Sequence, residues 1–511
     1  MKAIYPEGIL LLRRHFQKVK RGLYQLRLQN AVSPDRALNR ALKRTYYIKM
    51  RRAQKTGFPD QCSYEHKNGL SGQKQDFFMN KLNRHSDNYR ELMLLKIDIK
   101  LRHGFRHFAF FLKWLAIAAF LGVVCGLTGA LFHYFIDEAA YLFGEYGFLL
   151  YFLPAAGLLT VFSYHSLDIR NDEGTNSILR AARAEDTSAF RVTPLIFIAT
   201  FLTHLCGGSA GREGAALQIG GSLGSFIART LKLGKHEQQM LVMCGMSATF
   251  CALFGTPLTA AFFAIEVAGV GTVFYAGLLP AVVASFIAKL TALSLGVSRQ
   301  AFIIAGVQET SLFLFVKIIA LGILCAMLSI IFCRVMYTAS ALYRKYLKND
   351  YVRIMAGGFL VIILTLLSGS RDYNGSGMTV ITAALAGTAA PAAFAVKMLM
   401  TAATAGAGFK GGEIIPAMFI GATFGCTAAP FLGLDPVLGA EICLVAFFCG
   451  VVNCPVSSLL LSVEFFGSGN FLLFGVASSV SYMLSGYYSL YSGQKFMNSK
   501  LTPTPISRLA K

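Results

Sequence analysis

Gly207-Gly208-Ser209-Ala210-Gly211-Arg212-Glu213-Gly214, followed by Ala215-Ala216-Leu217-Gln218-Ile219-Gly220, is a glycine-rich turn that opens into a short apolar helix. The first N–H groups of a helix have no partner inside it. With apolar sequence around them, they aim into a cavity, where they and the positive end of the dipole suit an anion. Glu213 stands at that helix start. Its carboxylate can fill the position as an internal anion; protonated, it is neutral and can leave. A carboxylate that only caps the helix is the alternative reading. An ionisable residue at such a break points to a functional site at membrane depth.

The rest of the chain has the composition this requires. Of 511 residues, 55% are hydrophobic and 14% charged, where an average soluble domain carries about 25% charged residues. After residue 107, several apolar runs exceed the roughly 18–20 residues a helix needs to cross about 30 Å of hydrocarbon. Helices read at about 108–136, 145–166, 192–206, 237–254, 256–269, 271–295, 311–343, 353–368, 379–404, 413–432, 437–452, 455–466 and 470–488. Several are too short for a full crossing, and Gly or Pro interrupts many. Interrupted helices survive in lipid only where protein or a water-filled cavity covers the break. A soluble enzyme, a disordered tail and a disulfide scaffold are excluded. The expected fold is an all-α polytopic membrane protein of tilted and broken helices around a buried pathway.

The formal net charge of +22 is uneven: residues 1–107 hold 24 Lys/Arg against 8 Asp/Glu. Beside a membrane domain, this excess reads as the positive-inside bias of a cytoplasmic segment rather than as a nucleic-acid surface. Leu12, Phe16, Val19, Leu23 and Leu26 recur at helical steps, with Arg13, Arg14, Lys18, Lys20 and Arg21 on the other faces. Such a helix either lies on an anionic leaflet or stays a solvated basic arm. Residues 29–90 are polar without a steady period, and a true start at Met79 or Met93 is a further alternative. A basic stretch of this length is no signal peptide. Three segments follow: a basic, partly disordered cytoplasmic region (1–107), a transport domain (108–494) and a cytoplasmic tail (495–511). The 11 cysteines are scattered without zinc or CxxC spacing and read as small packing residues; no metal or cofactor is expected.

The chain also repeats. Gly211-Arg212-Glu213 finds a counterpart in Gly411-Gly412-Glu413, 200 residues on; Pro257 and Glu266 match Pro455 and Glu464, at an offset of 198. Broken segments at matching places in two halves point to a transporter built from inverted repeats, with its site at their interface. Glu266 and Glu464, at the ends of matched helices, read as architecture.

The Gly-Arg-Glu-Gly segment resembles the signature of the CLC family of anion channels and proton-coupled anion antiporters, although the family's following Pro is Ala215 here. The resemblance extends over roughly 108–494. Gly174-Thr175-Asn176-Ser177-Ile178 stands where the family has Gly-Ser-Gly-Ile-Pro, with Thr175 keeping a hydroxyl. Gly411-Gly412-Glu413-Ile414-Ile415-Pro416 is similar to the Gly-Gly-Glu-Val-Thr-Pro of the fluoride/proton branch, with Ile415 in place of the Thr. Glu413 either meets the pathway or caps its helix. Tyr491, in Tyr487-Tyr488-Ser489-Leu490-Tyr491, resembles the tyrosine that donates to the family's central anion; an interfacial Tyr is the alternative.

The resemblance implies proton-coupled fluoride (or chloride) antiport gated by Glu213, with a passive chloride channel as the alternative. It implies anion contacts from Thr175, Asn176, Gly211, Arg212, Gly214, Glu413, Ile414, Ile415 and Tyr491. It further implies a homodimer in the cell membrane with one pathway per subunit, halide and proton as partners, and no cofactor. The family's inward proton relay would fall at Val267, which cannot carry protons; this fits the fluoride branch better. About twenty residues after Tyr491 leave no room for the cytoplasmic nucleotide-sensing domains of other members. His204 and Lys410 read as locally satisfied. No HExxH motif or convincing triad suggests an enzyme, and acids at helix starts suit anions better than cations.

Overall fold

A computed structural model describes residues 72–511 apart from 170–172, 184, 186–189, 298–301, 303–304, 310, 503 and 511. The expected helix over Leu12–Leu26 lies outside these residues. The chain divides into two units, Met1–Arg102 and His103–Lys511. In the first, the described residues 72–102 are helical.

Helix α1 runs from Gly72 to Glu145, so it begins well before the apolar run at residue 108. The polar stretch has no apolar period, which is why sequence reading leaves it unassigned. It also has no proline after Gly72 and is rich in Lys, Arg and Leu, so propensity carries the helix where periodicity does not. After a 3₁₀ turn at Gly147–Phe152 come α2 (Leu153–Ser166), α3 (Thr175–Ala182) and α4 (Val192–Leu205). The first half continues through α5 (Glu213–Thr230), α6 (Lys235–Phe254), α7 (Pro257–Glu266) and α8 (Leu278–Ser294). The second half holds α9 (Leu312–Tyr346), α10 (Asp350–Ser368), α11 (Met378–Leu385) and α12 (Ala393–Ala407). It ends with α13 (Ile414–Ala428), α14 (Pro436–Val452), α15 (Pro455–Phe466) and α16 (Phe471–Leu484).

One expected helix, 379–404, is two. Gly387, at φ +89°, turns the chain after α11, and Pro391 prevents an early restart. Among the described residues, six helical stretches are long and apolar enough to cross a bilayer, including Phe108–Glu145, Leu312–Tyr346 and Asp350–Ser368. Others, such as Pro257–Glu266 and Pro455–Phe466, are shorter. Phe120, Leu131, Phe162, Phe286, Ile331 and Ile363 face outward, while the interior is rich in Ala, Gly, Ser and Thr. That distribution suits a protein whose solvent is hydrocarbon and whose helices join through small residues. The chain is a multi-pass membrane protein.

The two halves use the same packing device. A Cβ at Gly220 on α5 would collide with the Gly245 carbonyl of α6, and one at Gly425 on α13 with the Gly439 carbonyl of α14. Glycine lets these backbones touch, so α6 and α14 are buried along nearly their whole length. All ten described cysteines are buried thiols within this packing.

The tail departs from the all-helical reading. Gly269–Val270 (β1), Lys495–Asn498 (β2) and Pro505–Leu509 (β3) form a three-stranded sheet in that order. Gly269 pairs with Lys495 and Val270 with Phe496 in parallel, while Phe496 pairs with Arg508 antiparallel. The segment read as a cytoplasmic tail therefore folds back onto the end of α7.

Candidate anion pathway

The turn before α5 meets the turn before α13. Gly211 and Gly412 exchange both backbone hydrogen bonds, each 2.6 Å long, in an isolated antiparallel bridge. A Cβ at Gly214 would lie 3.0 Å from the Gly411 carbonyl oxygen and 3.2 Å from Thr175 Oγ1. Glycine at 214 eases this close approach, and three broken ends, those of α3, α5 and α13, converge.

Glu213 lies at that convergence and is fully buried. Its Oε1 accepts from the Arg212 N–H at 3.0 Å, and its Oε2 accepts from the Ile415 N–H at 3.2 Å. The carboxylate thus sits on the helix start of the opposite half, a position where an anion finds the free N–H groups and dipole of α13. Ile414 and Ile415 are buried, and Glu413 just before them is partly exposed. Tyr491 is 2% exposed, and its O–H has no hydrogen-bond partner among the described residues. Thr175 is buried at the start of α3, after Gly174 with φ +61°.

Two of the expected anion contacts are turned elsewhere. The Arg212 guanidinium donates to Asp137 Oδ1 at 2.7 Å and lies 2.8 Å from His133 Nδ1, so only its N–H faces the carboxylate. The Asn176 side-chain oxygen accepts from the Gly493 N–H at 2.8 Å, which makes it an anchor for the Tyr491 segment. Arg183, at the end of α3, holds the same segment by donating to the Gly493 and Ala268 carbonyls. Its hydrogen bond to Glu185, in the loop beyond, holds that exposed carboxyl below the usual range.

His204 finds a local partner, its Nδ1 lying 2.9 Å from the Thr200 carbonyl oxygen. The Lys410 ammonium lies 4.6 Å from the Tyr164 ring centroid. Sequence reading missed Lys397. This fully buried residue of α12 donates to the Tyr373 and Gly375 carbonyls at 3.0 and 2.7 Å. The signal was a lone cation in an apolar run at membrane depth.

The family model described as voltage gated chloride channel matches residues 156–486, which contain α3, α5, α13 and every broken end but the Tyr491 segment. The chain belongs to the CLC family. A chloride/fluoride channel protein of Pseudomonas syringae pv. tomato is 32% identical over 395 residues, 76% of this chain and 87% of that protein. Among solved structures, a CLC-type fluoride/proton antiporter superposes with a TM-score of 0.73 at 28% identity, covering 76% of this chain and 98% of that one. A slow cyanobacterial Cl⁻/H⁺ antiporter, 19% identical, shares the fold with a TM-score of 0.64 over 73% of this chain and 94% of its own. In this chain Thr175, Glu213 and the start of α13 meet at the junction of the two halves, and the Gly493 N–H ties the segment after Tyr491 to Asn176 of α3.

Proposed function

We propose that this CLC protein exchanges halide for protons, fluoride first and chloride next, through one pathway in each subunit of a homodimer in the cell membrane. Glu213 is the gate and the proton carrier. As a carboxylate it occupies the Ile415 N–H and excludes the halide; protonated, it lets go and a halide takes its seat. The observation that carries this reading is the Glu213 Oε2 contact with the Ile415 N–H at 3.2 Å, in a fully buried position.

In this reading the Ile414 and Ile415 N–H groups, the Thr175 hydroxyl and the Tyr491 O–H are neutral donors to the halide, and Glu413 borders the path. No cofactor takes part. The relatives named for fluoride support fluoride as the first choice, and so does Val267, which offers no second proton relay. The basic excess of residues 1–107 supports a cytoplasmic N-terminus.

Reconstitution into liposomes tests it. A fluoride gradient should drive protons uphill, and a pH gradient should drive fluoride. Glu213→Gln, which resembles the protonated state, should abolish the proton coupling. Coupling that persists in Glu213→Gln overturns the gate assignment; halide flux in the wild type without proton flux replaces exchange by a passive channel.

A further inference from the structure

Tyr491 does not stand on a helix. It follows α16 on irregular backbone, and at membrane depth such backbone must find its hydrogen bonds within the protein. The Leu490 N–H donates to the Val451 carbonyl, and the Tyr491 N–H to Ser489 Oγ. The Tyr488 carbonyl accepts from Asn453, and that of Ser489 from the Tyr337 O–H. The Tyr491 carbonyl accepts from the Gln494 N–H at 3.0 Å, which closes a turn. Among the described residues its phenol O–H has no hydrogen-bond partner, so its aim is set by this frame and by the packing around the ring.

The frame is fixed at Gln494. Its side chain is fully buried, and Nε2 donates to two carbonyls, Val267 at 3.0 Å and Val452 at 2.7 Å. Its Oε1 accepts from Asn453 Nδ2 at 3.2 Å. Val267 follows the last residue of α7 in the first half, and Val452 ends α14 in the second. One amide therefore satisfies the open carbonyl ends of helices from both repeats and locks the turn that carries Tyr491.

We propose that Gln494 is the positioning residue for the Tyr491 hydroxyl, stitching the ends of both repeats to the turn that aims it at the transported halide. This rests on Tyr491 as a halide donor. Gln494→Met keeps the length and removes the hydrogen bonds. In reconstituted full-length protein it should raise the fluoride KM about tenfold with a smaller change in maximal rate, and Tyr491→Phe should do the same. Because one residue acts through the other, the double variant should be no worse than Tyr491→Phe alone. Should Gln494→Met fail to fold, Asn453→Gly keeps the left-handed backbone at residue 453 (φ +57°), removes the partner of Oε1, and should shift KM the same way. A normal KM in a folded Gln494 or Asn453 variant, beside a shifted Tyr491→Phe, overturns the inference alone. Fully additive effects do so as well. A Tyr491→Phe protein with the wild-type KM overturns the donor role itself and this inference with it.

Discussion

Glu266 and Glu464 cap each other's helices. The Glu266 carboxylate accepts from the Val456 and Ser457 N–H groups at 3.2 and 3.0 Å, and from the Ser457 hydroxyl at 2.6 Å, at the start of the helix that Glu464 closes. The Glu464 carboxylate accepts from Leu258 and Thr259 at 3.1 and 2.9 Å, at the start of the helix that Glu266 closes. Each repeat supplies the anion that the other's dipole requires.

Loss of either carboxylate should therefore cost stability and spare the exchange stoichiometry. Glu464→Ala and Glu266→Ala each leave two helix N–H groups without their acceptor, at a cost of about 1–2 kcal/mol. Thermal unfolding of the purified protein should show a lowered transition, while the halide-to-proton ratio in liposomes stays at the wild-type value. A changed ratio would assign these residues to the proton route.

Gly412→Ala should disable the gate. The added Cβ would lie 2.6 Å from the Gly214 nitrogen and 2.7 Å from Glu213 Oε2. Relief requires the carboxylate or the bridge to move, an overpacking cost of about 1–3 kcal/mol, with halide efflux expected to fall at least about tenfold. Gly475→Ala is the control. Its Cβ meets only Leu459, at 3.8 Å, and efflux should be unchanged.

Lys397→Met should weaken halide entry. The ammonium is buried against two carbonyls and the Phe419 ring, with no carboxylate in an ion pair among the described residues. Removing this buried amine, which shares the Tyr373 carbonyl with Ser209 of the turn before α5, should lower fluoride efflux about tenfold, ~1.4 kcal/mol. A folded Lys397→Met protein that transports normally would reduce Lys397 to a clamp on Tyr373 and Gly375.

The repeat was legible because short motifs recur at almost one offset. The two matched motifs do meet, although the bridge joins Gly211 to Gly412 and not to Gly411, which the 200-residue offset aligns with it. The membrane helices were legible because apolar runs and Gly/Pro breaks follow from the solvent they face. Side-chain direction was not. Nothing in Gly-Arg-Glu-Gly says that Arg212 turns to Asp137 on α1, 75 residues away, or that Asn176 reaches Gly493, 317 residues away. The β2–β3 hairpin was missed because Lys495–Asn498 and Pro505–Leu509 are too short to show an alternating pattern, and the sheet is completed by a distant two-residue edge at Gly269–Val270.

The link between Gly211 and Gly412 is made of peptide groups alone. A peptide group is the same whichever amino acid carries it, so the seam between the repeats asks of its own two positions only that they carry no side chain. Substitutions next to the seam, at Ile415 or Thr175, should therefore leave the bridge itself in place. Architecture and selectivity are thereby separable in this protein, and an engineer could change the second without rebuilding the first.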